Sequence, residues 1–233
     1  MMNHQTIVAA LLVLVSAATL IKAVIYEKHC MIFEESYNFD EDRFTGRWYE
    51  NRRLYDPNDD LENLEDCVQE QYSRAGSNAL DFDIIRAAQL GSSGNVSYST
   101  GVATPKVLGD SKVPKFLLRY NTTDSADPDL AIDIVAVDYQ NYAIVYSCNH
   151  VNSTTVEESA WVFTRRPTVE KHIGEEIEKF LKAHFNHPEH KWRQTEQSAK
   201  FCKPNNLPTS GGVSRTTPFL LTIVIAVCVL LGR

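Results

Sequence analysis

Three histidines, His184, His187 and His190, recur at three-residue spacing, and neutral imidazoles so placed could ligate zinc or copper. Pro188 falls between them and interrupts any helix that would set all three on one face, which favours exposed histidines over a metal site. Asp56, Asn58 and Asp60 copy the opening positions of a calcium loop. The sixth position is Leu61 where a glycine is needed, and the twelfth is Cys67 where a bidentate glutamate belongs, so calcium is rejected there. The acidic stretch from Asp56 to Asp66 reads instead as a solvated loop. No G-x-S-x-G, H-E-x-x-H or phosphate loop occurs. The chain therefore offers no catalytic assembly, calls for no cofactor, and reads as a binding protein rather than an enzyme.

The remaining chemistry is covalent and belongs to the exterior of the cell. Ile7 to Leu20 is an uncharged apolar run of signal-peptide length, with cleavage expected near Ala23 or, alternatively, Ala18. Phe219 to Leu231 is a second apolar run, about 20 Å as a helix against a hydrocarbon core of about 30 Å. Small residues (Ser210, Gly211, Gly212) and a polar spacer precede it, the pattern of a glycosylphosphatidylinositol (GPI) signal with attachment at Ser210 and loss of 211–233. A short single-pass anchor is the alternative. Loss of residues 1–23 and 211–233 leaves 20 basic against 30 acidic residues, net −10, a surface unsuited to nucleic acid. Cys228 departs with the tail, leaving Cys30, Cys67, Cys148 and Cys202, an even number that reads as two disulfides with three possible pairings. Asn95-Val96-Ser97, Asn121-Thr122-Thr123 and Asn152-Ser153-Thr154 are N-glycosylation sequons in turn-like polar stretches.

The intervening length suits one domain, assigned to residues 24–205, with 206–233 as linker and attachment signal. Period-two or β-rich runs recur at 47–54, 67–75, 79–86, 96–103, 115–120, 130–137, 142–149 and 160–165, separated by turn residues. Eight such strands without crossover helices predict an antiparallel up-and-down β-barrel, wide enough inside for one small ligand. After Pro167 the period lengthens: Val169, Ile173, Ile177, Phe180, Leu181, His184 and Phe185 share one helical face, predicting a helix over about 168–186 with Thr168 as its N-cap.

Three segments mark the ends of these strands: Gly46-Arg47-Trp48-Tyr49-Glu50, then Asp138-Tyr139 leading into Tyr142-Ala143-Ile144-Val145-Tyr146-Ser147-Cys148, then Trp161 to Arg165. In order and spacing they resemble the three signature regions of the lipocalins, in particular the apolipoprotein D and Lazarillo group, and the resemblance runs from Cys30 to Cys202. It implies pairing of Cys30 with Cys148 and of Cys67 with Cys202. It also implies a barrel base in which Gly46 bends the chain, Trp48 turns inward under the Arg165 side chain, and Asp138 caps a turn. Trp161 and Tyr72 align with barrel-lining aromatics of that group, and Tyr98 and Ile132 join them as candidate ligand contacts. A small hydrophobic ligand (fatty acid, retinoid, sterol or bilin) is expected, with roles in lipid handling or neuronal development. GPI-anchored members occur in insects. A cell-surface recognition protein that uses the barrel as scaffold for a protein receptor is the rival reading. Family members that act on prostaglandins use an unpaired cavity cysteine, and no spare cysteine remains here after processing.

Overall fold

The computed structural model describes residues 24–27, 29–33, 38–55, 65–76, 80–90, 94–106, 113–121, 129–188, 190–205 and 207. The expected signal peptide, Ser210 and the apolar tail lie outside them. Ten strands and two helices follow in chain order: β1 (Val24–Glu27), α1 (Glu41–Phe44), β2 (Gly46–Tyr55), β3 (Glu65–Arg74), β4 (Phe82–Leu90), β5 (Asn95–Pro105), β6 (Lys115–Tyr120), β7 (Leu130–Asp138), β8 (Tyr142–His150), β9 (Thr155–Thr164), α2 (Lys171–His184) and β10 (Lys191–Gln194). Strands β2 to β9 pair antiparallel with their sequence neighbours, and β9 returns to β2 with Tyr49 opposite Thr164, which closes an eight-stranded barrel. This is the expected up-and-down architecture. Two short strands extend it, β1 along β9 and β10 along β2.

Strand alternation sends one set of side chains inward and the other out. The inner set packs Trp48, Tyr72, Phe82, Ile84, Phe116, Ile132, Ile134, Val145 and Phe163 together with Phe44 of α1. The outer set on β7 to β9 (Val135, Ile144, Tyr146, Val162) packs under α2 through Ile173, Ile177 and Leu181, and under Phe185 just after it. The periodicity of that helix is thus explained by the barrel wall it covers. Its N-cap is Glu170 rather than Thr168 and makes no side-chain capping bond; the Glu170 carboxylate accepts from Arg166 instead, at 2.9 Å.

Two disulfides tie the flanking segments to the wall. Cys30 bonds Cys148 with Cα atoms 5.7 Å apart, and Cys67 bonds Cys202 at 5.5 Å. Cys67 sits in a β-bulge of β3 at φ +55°, a left-handed conformation uncommon for a non-glycine residue. Its amide donates to the Glu196 carbonyl, binding the C-terminal segment at the same point.

Candidate ligand site in the barrel

One end of the barrel is sealed. Gly46, at φ +100°, carries the chain from α1 into β2, and a Cβ there would stand 3.2 Å from Arg165 Nη1. Both constraints call for glycine. Trp48 is fully buried and its indole Nε1 donates to the Phe44 carbonyl at 2.9 Å. The Arg165 guanidinium lies 3.6 Å from the indole ring centroid. It donates to the carbonyls of Tyr139, Arg47, Arg43 and Phe44 at 2.9, 3.1, 2.7 and 3.3 Å. Burial pushes its pKa down to about 10, which leaves it charged at neutral pH. Asp138 holds the neighbouring β7–β8 turn, accepting from the Gln140 amide at 2.9 Å and from Asn141 Nδ2 at 2.6 Å.

Above this base the interior has two storeys. The lower is aromatic: Phe44 meets Tyr72 at 5.1 Å between centroids, Tyr72 meets Phe82 at 5.8 Å, and Phe82 meets Phe116 at 5.6 Å, mostly edge-on or tilted. The upper is charged. Register places Trp48 opposite Glu70 and Glu70 opposite Arg86, so both charges share the inward parity of Trp48. Arg86 donates to both Glu65 oxygens, Nη1 to Oε1 at 3.0 Å and Nη2 to Oε2 at 2.5 Å. Arg53, paired in register with Trp161, donates to Glu50 Oε1 at 2.7 Å. Thr195 donates to the same oxygen at 2.5 Å. Glu70 accepts from the Tyr72 and Tyr120 hydroxyls at 2.7 and 3.1 Å.

The two acids at the centre of this network differ in electrostatics. Burial raises the Glu70 carboxyl above its ordinary range despite Arg86 and the two tyrosines. Burial also opposes ionisation of Glu65, yet the charge and hydrogen bonds of Arg86, with Arg53, hold it below the ordinary value. The Tyr72 and Tyr120 hydroxyls are driven well up, by burial first and by the Glu70 charge second.

The residues singled out from the sequence distribute unevenly over this site. Tyr72 and Ile132 are buried among the inner side chains, and half-buried Trp161 packs against the same cluster. Tyr98 does not belong. It pairs with Ala87, on the parity opposite to inward Ile84 and Arg86, and stands 48% exposed on the outer wall. A strand-like run reveals alternation but not which parity is inward. His190 also departs from the exposed reading: its Nε2 lies 3.0 Å from Glu158 Oε2, in a fully buried pair beneath the segment after α2. Glu65 and Asp66 leave the solvated loop assigned to them. Glu65 faces Arg86, and Asp66 binds Arg193 through both oxygens at 2.8 Å. The charged storey was missed, although Glu70 and Arg86 each stand two residues from an inward aromatic or aliphatic residue, Tyr72 and Ile84.

Comparison with known proteins points the same way. Residues 108–199 match the Lipocalin / cytosolic fatty-acid binding protein family. Apolipoprotein D of Macaca fascicularis is 27% identical over 146 residues, 62% of this chain and 68% of that one. The Lazarillo protein of Schistocerca americana is 26% identical over 168 residues, 71% and 73% of the two chains. The chain has the lipocalin fold. Among solved structures, insecticyanin of Manduca sexta superposes with a TM-score of 0.58 at 23% identity, covering 78% of this chain and 93% of insecticyanin. Apocrustacyanin C1 gives 0.56 at 19% identity over 75% and 92%. At those identities the likeness speaks for the fold alone.

Proposed function

We propose that this lipocalin binds one small, largely hydrophobic molecule with a polar end inside its barrel, outside the cell, tethered to the outer leaflet of the plasma membrane through a GPI anchor at Ser210. The observation that carries the binding reading is the two-storey interior. An aromatic floor favours transfer of an apolar body out of water, and the charged wall above it offers fixed hydrogen-bond partners to a head group. Fatty acids, retinoids, sterols and bilins are the candidate classes. Trp161 and Tyr72 would make the body contacts, with Ile132 beside them. Exterior location is supported by the two disulfides, and the tether by the small-residue, spacer and apolar-tail pattern of residues 210–231.

The test is tryptophan fluorescence of the purified protein titrated separately with retinoic acid, arachidonic acid, a sterol and biliverdin. Saturable quenching at roughly micromolar ligand, about 8 kcal/mol of binding, is expected for at least one class. Loss of that response in Trp161→Ala or Tyr72→Ala places the ligand on the named wall. Absence of any saturable response refutes binding of these classes and turns the search to a protein receptor.

A further inference from the structure

We propose that the barrel stands with its mouth away from the tethering membrane, ringed by N-linked glycans, so that ligand is exchanged with the surroundings and not with the membrane below. The orientation rests on the tether reading above; the placement of the glycans does not.

Chain direction defines the two ends. The sealed end holds Gly46, Trp48, Arg165 and the β7–β8 turn, so the mouth carries the β4–β5, β6–β7 and β8–β9 connections. All three sequons fall there. Asn95 opens β5, Asn121 directly follows β6, and Asn152 lies in the β8–β9 hairpin; each is exposed. Three hydrated oligosaccharides on one rim resist being pressed against lipid head groups.

The C-terminal segment leads the opposite way. Cys202 is bonded to Cys67 near the mouth end of β3, and the Lys203 amide donates to Gln89, one residue from the mouth end of β4. Four residues on, the carbonyl of buried Leu207 accepts from Arg47 Nη2 at 2.7 Å, and Arg47 is the second residue of β2 at the sealed end. The chain thus descends the outer wall and is released low. From Leu207 to Ser210 three residues reach at most about 11 Å. β4 and β8 are nine residues each, about 30 Å along the strand and about 23 Å along a barrel axis tilted by ~40°. The last described residue is thus anchored to Arg47 at the sealed end, and the reach beyond it is about half of that height.

The experiment uses the full chain on cells. Leu80, between β3 and β4 at the sealed end, and Val151, in the β8–β9 hairpin at the mouth, are 56% and 54% exposed. Leu80→Cys and Val151→Cys are labelled singly with a donor dye, intact disulfides are verified by mass spectrometry, and energy transfer to an acceptor lipid in the outer leaflet is measured. Transfer from position 80 is expected to exceed that from position 151 by about twofold, given ~23 Å of barrel height between them. Equal transfer, or more from position 151, overturns the orientation. If both variants are recovered in the medium with no transfer and phosphatidylinositol-specific phospholipase C releases nothing, the tether reading falls and the orientation with it. Glycopeptide mass spectrometry before and after N-glycanase reads the rim independently. Occupancy of at least two of Asn95, Asn121 and Asn152 is expected, and occupancy of fewer than two overturns the glycan ring.

Discussion

Replacing Arg165 by methionine removes the cation from the indole of Trp48 while keeping an aliphatic stem against it. The structure sets the size of the effect. A desolvated cation–π contact contributes up to about 2 kcal/mol, and loss of a charged donor from buried carbonyls costs about 1.5 to 3 kcal/mol each. Four carbonyls accept from this guanidinium, those of Tyr139, Arg47, Arg43 and Phe44, and the last retains the Trp48 indole as a donor. The Arg43 bond is exposed, so water can replace it there. Burial of the cation, which pushes its pKa down to about 10, offsets part of the remainder. The net expectation is a loss of about 3 kcal/mol, or roughly 6 to 12 °C in Tm for a domain of this size. Arg165→Lys keeps the charge but loses the planar fork, and should retain about half of the stability. Thermal unfolding by circular dichroism gives the first number. Ligand titration gives the second, and Kd should shift less than about threefold because the arginine belongs to the sealed end, stacked on Trp48. A stability loss under about 1 kcal/mol in Arg165→Met, or a Kd effect larger than threefold, would refute the assignment of this residue as a purely structural clasp.

Gly46→Ala should cost about 1 to 3 kcal/mol in chemical denaturation, since it combines a positive φ with a Cβ 3.2 Å from Arg165 Nη1. Glu65→Gln removes a carboxylate whose pKa is depressed in the fold, so its stabilising contribution is complete above its ordinary pKa and fades as pH falls. The variant should lose about 3 kcal/mol at neutral pH and show a flatter decline below about pH 4.5 than the parent, measured by urea midpoints across the pH range. Cys67→Ala with Cys202→Ala opens a link spanning 135 residues and should lower stability by about 5 kcal/mol at most, while limited proteolysis shows the segment after Gln194 cut first. Tyr98→Ala should leave ligand affinity unchanged, in contrast to Trp161→Ala, because its side chain is on the outer wall.

The barrel was legible because its strands announce themselves twice, by β-forming composition and by turn residues between them. The β6 prediction matches residue for residue, and β8 differs by one. The amphipathic helix was legible for the same reason, although it starts two residues later than an N-cap at Thr168 suggests. What stayed hidden depends on partners distant in sequence. β1 and β10 are four residues each and exist only because β9 and β2 offer free edges to pair with. Nothing in the sequence marks Glu50, Glu65, Glu70, Arg53 and Arg86 as a group until register shows that they pair with one another inside the barrel. His190 is buried because Glu158, 32 residues earlier, meets it there.

Those two four-residue strands also govern how the barrel meets other copies of itself. Closure of β2 onto β9 leaves the ten-stranded sheet with only β1 and β10 as its outer members. An edge that short offers another molecule a few ladder hydrogen bonds at most, and exposed long edges are what seed sheet-to-sheet aggregation. Cys30 lies three residues after β1 and Cys202 eight after β10, so covalent bonds to the wall keep both strands from peeling away to expose the longer strands beneath. A barrel with edges this short and this firmly held is in this way denied the commonest route to joining its neighbours.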